Sequence, residues 1–288
     1  MTNACIERPR PAAPNIDATL HSIRIPPRPS LLADLQQEID RPDPNLKTLA
    51  RVVEKDVALS GAFLKMINSP FYNRARKAET VEAALTGLGL NQVALLAGGF
   101  LVRESFHCES YDLTRFWETS SQRSSAMAFL ARELRAGSSA LARSFGLFAD
   151  LGIPLLMERF SHYPETLRQA QDSQCAAFTE LEDRQHHTNH AVIGSMLARN
   201  WKLPDDVVLA IDRHHDRDVF EAGQTSLPVR RLIALGAISD VIIHHYTARP
   251  LSAELQRTAP LAMIELGMGN DEFDDLSNTI HALFDQET

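Results

Sequence analysis

Cysteine is scarce in this 288-residue chain, and the three present, Cys5, Cys108 and Cys175, lie far apart. They make no CxxC pair and no disulfide framework, which fits a reducing compartment. No apolar run approaches the roughly 20 residues that span a bilayer. Residues 1–11 lack the apolar core of a signal peptide. Together these absences predict a cytoplasmic protein with no membrane insertion. Surplus positive charge is missing too: the formal net charge is −8. A general nucleic-acid binder needs excess Lys and Arg to displace phosphate counterions, so that function class is excluded. The short basic run Arg74-Ala75-Arg76-Lys77 reads as a solvated loop.

Convincing strand alternation is absent as well. Apolar residues recur instead at helical spacing, which predicts an all-α multi-helix bundle. Hydrophobic content of 44% and charged content of 23% are ordinary for a globular chain long enough to bury a core. Six of the fifteen prolines fall in residues 1–29, and none lies between Pro70 and Pro154. Proline fixes φ and cannot donate a hydrogen bond, so the start reads as an extended tail. Ser30, Asn45, Asp56 and Asn91 are placed to cap helices, the last running to Phe106. Further helices are predicted over Phe116–Arg135, Ser138–Asp150, His190–Asn200, Pro204–His214 and Val229–His245. A final one, beyond the acidic stretch from Asn270, passes through Ile280, Leu283 and Phe284.

Histidine is concentrated. Seven of the eleven lie between His186 and His245, including the doublets His186-His187, His214-His215 and His244-His245. His214 and His215 follow Ile211 by three and four residues, so at least one should point inward with that face. His190 opens an apolar helix, and Asp240 and His244 are four apart on one face. Such residues converging from three helices could hold a divalent ion inside a bundle. Against that, doublets often send one ring to the core and one to solvent. No HExxH pair fixes two ligands on one turn. Nucleophilic chemistry has little support: His107 and Cys108 are adjacent and point apart, and Gly87-Leu88-Gly89 has no preceding strand.

A series of segments resembles one family in order and spacing. They are Ile25-Pro26-Pro27-Arg28-Pro29, Glu54-Lys55-Asp56-Val57-Ala58-Leu59, Ile67-Asn68-Ser69-Pro70-Phe71-Tyr72 and Val81-Glu82-Ala83-Ala84-Leu85-Thr86-Gly87-Leu88-Gly89. Later come Phe116-Trp117, Gly146-Leu147-Phe148-Ala149-Asp150-Leu151-Gly152, His190-Ala191-Val192-Ile193-Gly194, Trp201-Lys202-Leu203-Pro204 and Ile211-Asp212-Arg213-His214-His215. The pattern is similar to the HDOD family, a bacterial branch of the HD-domain superfamily. It divides the chain into a tail (1–24), an HDOD-like domain (25–245, with subdomains 25–110 and 111–245) and a helical C-terminal extension (246–288).

The resemblance implies an HD-type helical bundle. In catalytic HD-domain phosphohydrolases a histidine, an adjacent His-Asp pair and a later aspartate hold the metal, and some relatives add histidines for a second ion. Carried over, the His-Asp pair falls on Ala149-Asp150, and the first histidine falls near Thr119 or Ser120. Asp150, His190, His214, His215 and Asp240 remain as a vestigial pocket. No catalytic residue, metal or cofactor is expected from so broken a set, although the remaining histidines could assemble a different site with Asp150. The family setting implies a non-catalytic signalling module that acts through protein partners, within a cyclic-dinucleotide or two-component network. Metal-dependent phosphohydrolase activity, or a nucleotide bound without cleavage, are the alternatives.

Overall fold

Several helices start where a short polar side chain can accept a hydrogen bond from an otherwise unpaired backbone N–H. The computed structural model describes Ile23, residues 30–89 apart from 40, 42, 56 and 69–76, residues 93 and 97, and residues 113–287 apart from 173–177 and 222. Within them Asn45 accepts from Lys47 and Thr48, Thr80 from Ala83, Ser138 from Leu141, Asn189 from Val192 and Ser252 from Leu255. All regular elements among the described residues are helices, as the sequence pattern predicts.

The first four are α1 (Ser30–Ile39), α2 (Leu46–Val53), α3 (Val57–Ile67) and α4 (Val81–Leu88), which pack on one another. Leu49 and Val53 of α2, Phe63 and Ile67 of α3 and Leu85 of α4 fill their interior. Ile23, which composition assigns to the tail, joins the same core. The predicted Asp56 cap and most of the predicted Asn91–Phe106 helix lie outside the described residues. Val93 and Ala97 from that stretch are helical and buried.

The larger group opens with α5 (Thr114–Glu133) and α6 (Ser139–Phe148), an antiparallel pair joined at a short turn. It continues through α7 (Gly152–Arg159), α8 (Tyr163–Asp172), α9 (Phe178–His186), α10 (His190–Asn200) and α11 (Asp205–Arg213). α12 (Leu227–Tyr246) runs along α5, α6 and α11, with Leu232, Leu235, Ile238 and Ile242 turned inward. α13 (Ala253–Leu266) packs on α12, and α14 (Asn270–Glu287) covers α12 and α5. The helices α7, α8 and α9 carry no clear prediction from periodicity. Pro154 and Pro164 fall in the first turns of α7 and α8, where a missing N–H costs nothing.

One stretch corrects the expectation about apolar runs. Ser139–Arg159 has the length and composition to cross a membrane, with mean hydropathy 1.4. It is 67% buried inside the fold, and a turn at residues 149–151 splits it into α6 and α7. It is core.

Candidate functional site

Asp150, His190, His214 and His215 reach one spot from three parts of the chain. Asp150 stands in the turn after α6, His190 is the first residue of α10, and the His doublet forms the turn that closes α11. One ligand atom from each lies within 4.8 Å of all the others. Two glycines make the approach possible. A Cβ on Gly152 would stand 2.0 Å from the His190 carbonyl oxygen, and one on Gly146 would stand 2.8 Å from the Ser124 backbone. The first brings the Asp150 turn against α10, and the second seats α6 on α5.

Both members of the doublet face inward, one more than helical spacing requires. The reason is local: α11 ends at Arg213, and His214 and His215 lie in the turn that follows. Released from the helical angle of 100° per residue, the two rings sit 4.0 Å apart, centroid to centroid. The other doublets divide between core and solvent. His186 is buried and contacts Thr166 Oγ1 at 2.8 Å, while His187 is exposed. His244 donates through Nδ1 to its own helix at the Asp240 carbonyl, 2.8 Å away, and His245 is exposed.

Each ring of the cluster is fixed from behind. His190 Nδ1 lies 2.7 Å from Glu182 Oε2, His215 Nδ1 lies 2.5 Å from Glu254 Oε1, and His214 Nδ1 lies 2.7 Å from the Ile211 carbonyl. All three partners can only accept when the carboxylates are ionised, so every Nδ1 carries its proton and donates. The Nε2 atoms are turned inward. His190 Nε2 and His215 Nε2 are 3.0 Å apart, and both His190 and His214 approach Asp150 Oδ1, at 3.7 and 3.5 Å. His214 Nε2 is buried and makes no hydrogen bond.

Glu182 is fully buried and has its oxygens filled by Tyr163 Oη–H and by the backbone and ring N–H groups of His190. Burial works against its charge, but His190 and these donors outweigh it and hold the carboxyl below its ordinary range. Glu254 likewise resists burial through His215 and the Phe178 N–H, at 2.7 Å, and is held at about 2. Phe178 stacks on His215 and sets its edge against His190, closing the cluster with an apolar ring.

The second aspartate goes elsewhere. Asp240 is bound by Arg123 Nε at 2.7 Å, while Arg123 Nη1 reaches Asp150 Oδ2, also at 2.7 Å. The guanidinium thus bridges the two carboxylates carried over from the metal set. Burial would lower the arginine, but the two aspartates raise it above its ordinary value. Burial raises Asp150 less than Arg123, His214 and His190 lower it, and it ends well below the usual carboxylate range. Asp240, pushed up by burial and by Asp150, stays above its ordinary value. Ala149 offers no ligand atom, and Thr119 Oγ1 is bound to the Arg115 carbonyl of its own helix. The residues present therefore do not fit the first metal of a catalytic HD set.

Four contributors escaped the sequence reading: Arg123, Tyr163, Glu182 and Glu254. Arg123 had a signal, since Ser120, Arg123, Ser124 and Met127 share the buried face of α5 and a buried cation demands partners. The other three are joined to the site by long-range bonds that local spacing does not encode.

A bundle of helices around an Asp and a histidine cluster, with α7 and α10 pressed together, defines an HD-type helical domain. The chain belongs to the HDOD family: the HDOD domain model matches residues 25–217, which leaves Asp240 and Glu254 beyond the match. An uncharacterized protein of Treponema pallidum (strain Nichols) is 26% identical over 197 residues, 67% of this chain and 38% of the relative. The match thus spans well under half of that relative's length. Among solved structures, a candidate phosphohydrolase of Shewanella amazonensis SB2B superposes with TM-score 0.68 at 18% identity, covering 96% of this chain and 99% of its own. A candidate signal transduction protein of Marinobacter aquaeolei VT8 gives 0.67 at 21% identity, covering 99% of this chain and 63% of its own. At these identities the likeness is one of fold.

Proposed function

We propose that this chain is a non-catalytic signalling domain that acts by contact with partner proteins. The observation that carries the reading is Arg123. In a working HD centre the aspartates at the Asp150 and Asp240 positions serve a metal, whereas here a guanidinium is held by both. A guanidinium neutralises carboxylates but cannot activate water as a Lewis acid does. The loss of the paired histidine at Ala149 points the same way. The Marinobacter structure, described as a signal transduction protein, is consistent with it.

Metal-dependent phosphohydrolase activity is the second reading, favoured by the convergence of Asp150 with three histidines and by the description of the Shewanella structure. It asks that one ion with four protein ligands keep room for a reactive water. Incubating the full chain with cyclic dinucleotides and simple phosphodiesters in Mn2+, Fe2+ or Zn2+ separates the two. The signalling reading predicts recovery of intact substrate. Metal-dependent cleavage that disappears in His214→Gln would establish the hydrolase instead.

A further inference from the structure

We propose that α13 pairs with α13 of a second copy of this chain, packed antiparallel across a two-fold axis. Among the described residues, Leu209, Leu227, Leu261 and Ile264 are the exposed large apolar side chains. The last three lie at one end of the α12–α13 pair, where Arg230 Nε meets Glu265 Oε2 at 3.2 Å. Ile264 is the extreme, with 76% of its surface in water. Apolar residues scattered singly on a surface need no explanation, but a stripe does. Arg257, Pro260, Leu261 and Ile264 are all exposed, and they fall at i, i+3, i+4 and i+7 of one helix, hence on one face. The other side of α13 is occupied: Ala262 is fully buried, Leu266 packs on the core, and the helix lies against α12. The helix is thus apolar on two sides, of which the chain covers one.

The charges around the stripe select its occupant. Arg257 stands at the N-terminal end, and Asp271, Glu272, Asp274 and Asp275 follow the C-terminal end in the first turns of α14. All five are exposed. A partner carrying one sign of charge would be attracted at one end and repelled at the other. A second copy turned through half a revolution matches both. With the axis between Leu261 and Ile264, Arg257 lies about 8 Å to one side, and the acidic turn begins about as far on the other. Arg257 of each copy then faces Asp271 and Glu272 of the other, the reciprocal contact that a two-fold interface requires. A stripe of two turns offers less than the about 800 Å2 per partner of a standard interface. The pairing is therefore weak, with a Kd of about 1–100 μM. Neither the stripe nor these charges belong to the histidine cluster, so the pairing does not depend on whether the chain hydrolyses anything.

Sedimentation equilibrium of the full chain from about 1 to 200 μM should show a reversible monomer–dimer equilibrium. Ile264→Glu should weaken it by more than about 10-fold, with helical circular dichroism kept, because the side chain already stands in water. Arg257→Glu in one variant, and Asp271→Arg with Glu272→Arg in another, should each weaken self-association by about 3–10-fold. Mixing those two variants should restore it, since both two-fold-related charge pairs are then again of opposite sign. A chain that stays monomeric across the range, a dimer that Ile264→Glu leaves unchanged, or a mixture no tighter than its components would overturn the proposal. Each of those results leaves the non-catalytic reading where it stands.

Discussion

The Nε2 atoms of His190 and His215 lie 3.0 Å apart while their Nδ1 atoms face two separate carboxylates, Glu182 and Glu254. One of the pair must therefore hold a second proton whenever no cation lies between them. Burial opposes charge on His215, but Glu254 raises its affinity for protons above the ordinary histidine value. Nitrogen-15 NMR of metal-free protein should show a proton held between the Nε2 atoms of His190 and His215, and His214 protonated on Nδ1 alone. An Nε2-protonated His214 would refute the assigned ring orientations.

Stability should fall on acidification because of His214. Burial, then the charge of His215 and to a smaller extent that of His190, lowers its pKa to about 4, against the opposing pull of Asp150. The folded value lies below the unfolded one, so between about pH 6.5 and 4 the unfolded chain binds the proton more readily and unfolding is favoured. The contribution is on the order of 3 kcal/mol, fully present above pH 6.5 and lost as pH falls through 4. Urea unfolding of metal-free protein should show the unmodified chain losing more stability than His214→Asn over this range. Parallel pH profiles would rule the effect out.

Arg123 is the main counter-charge for two half-buried aspartates. Arg123→Met should cost about 1–3 kcal/mol, because it leaves two half-buried carboxylates without their shared cation. Arg123→Lys should recover only part of that, since one ammonium does not reproduce the fork that reaches Asp150 and Asp240 together. Adding Asp240→Asn to Arg123→Met should restore stability relative to the single variant. Additive losses in that double-mutant cycle would show that the bridge carries no coupling.

Gly152→Ala tests how tightly the turn at Asp150 is held to α10. Its Cβ would fall 2.0 Å from the His190 carbonyl oxygen, with the His190 Cα and carbonyl carbon at 2.7 Å. Backbone has to move, at a cost of about 3 kcal/mol or more. Gly61→Ala is the control, since nothing lies within 4 Å of its Cβ. Equal melting temperatures for the two variants would contradict the packing described.

The helical nature of the chain was legible because apolar periodicity and caps such as Asn45 agree with each other. So was the convergence of Asp150, His190, His214 and His215. The inward turn of both His214 and His215 was not, since periodicity assumes that α11 continues where it stops. Glu182 and Glu254 sit on short or interrupted helices, α13 containing Pro260, and reach the site across 8 and 39 positions of sequence. Spacing patterns carry no such information. Arg123 was readable in principle, as a cation on the buried stripe of α5.

Turnover of a simple phosphodiester by the full chain in the presence of Mn2+, Fe2+ or Zn2+ decides whether the domain works without catalysis. Hydrolysis no faster than in metal solution without protein is the expected result. Hydrolysis above that background, tracking bound metal and abolished by Asp150→Asn, would contradict it.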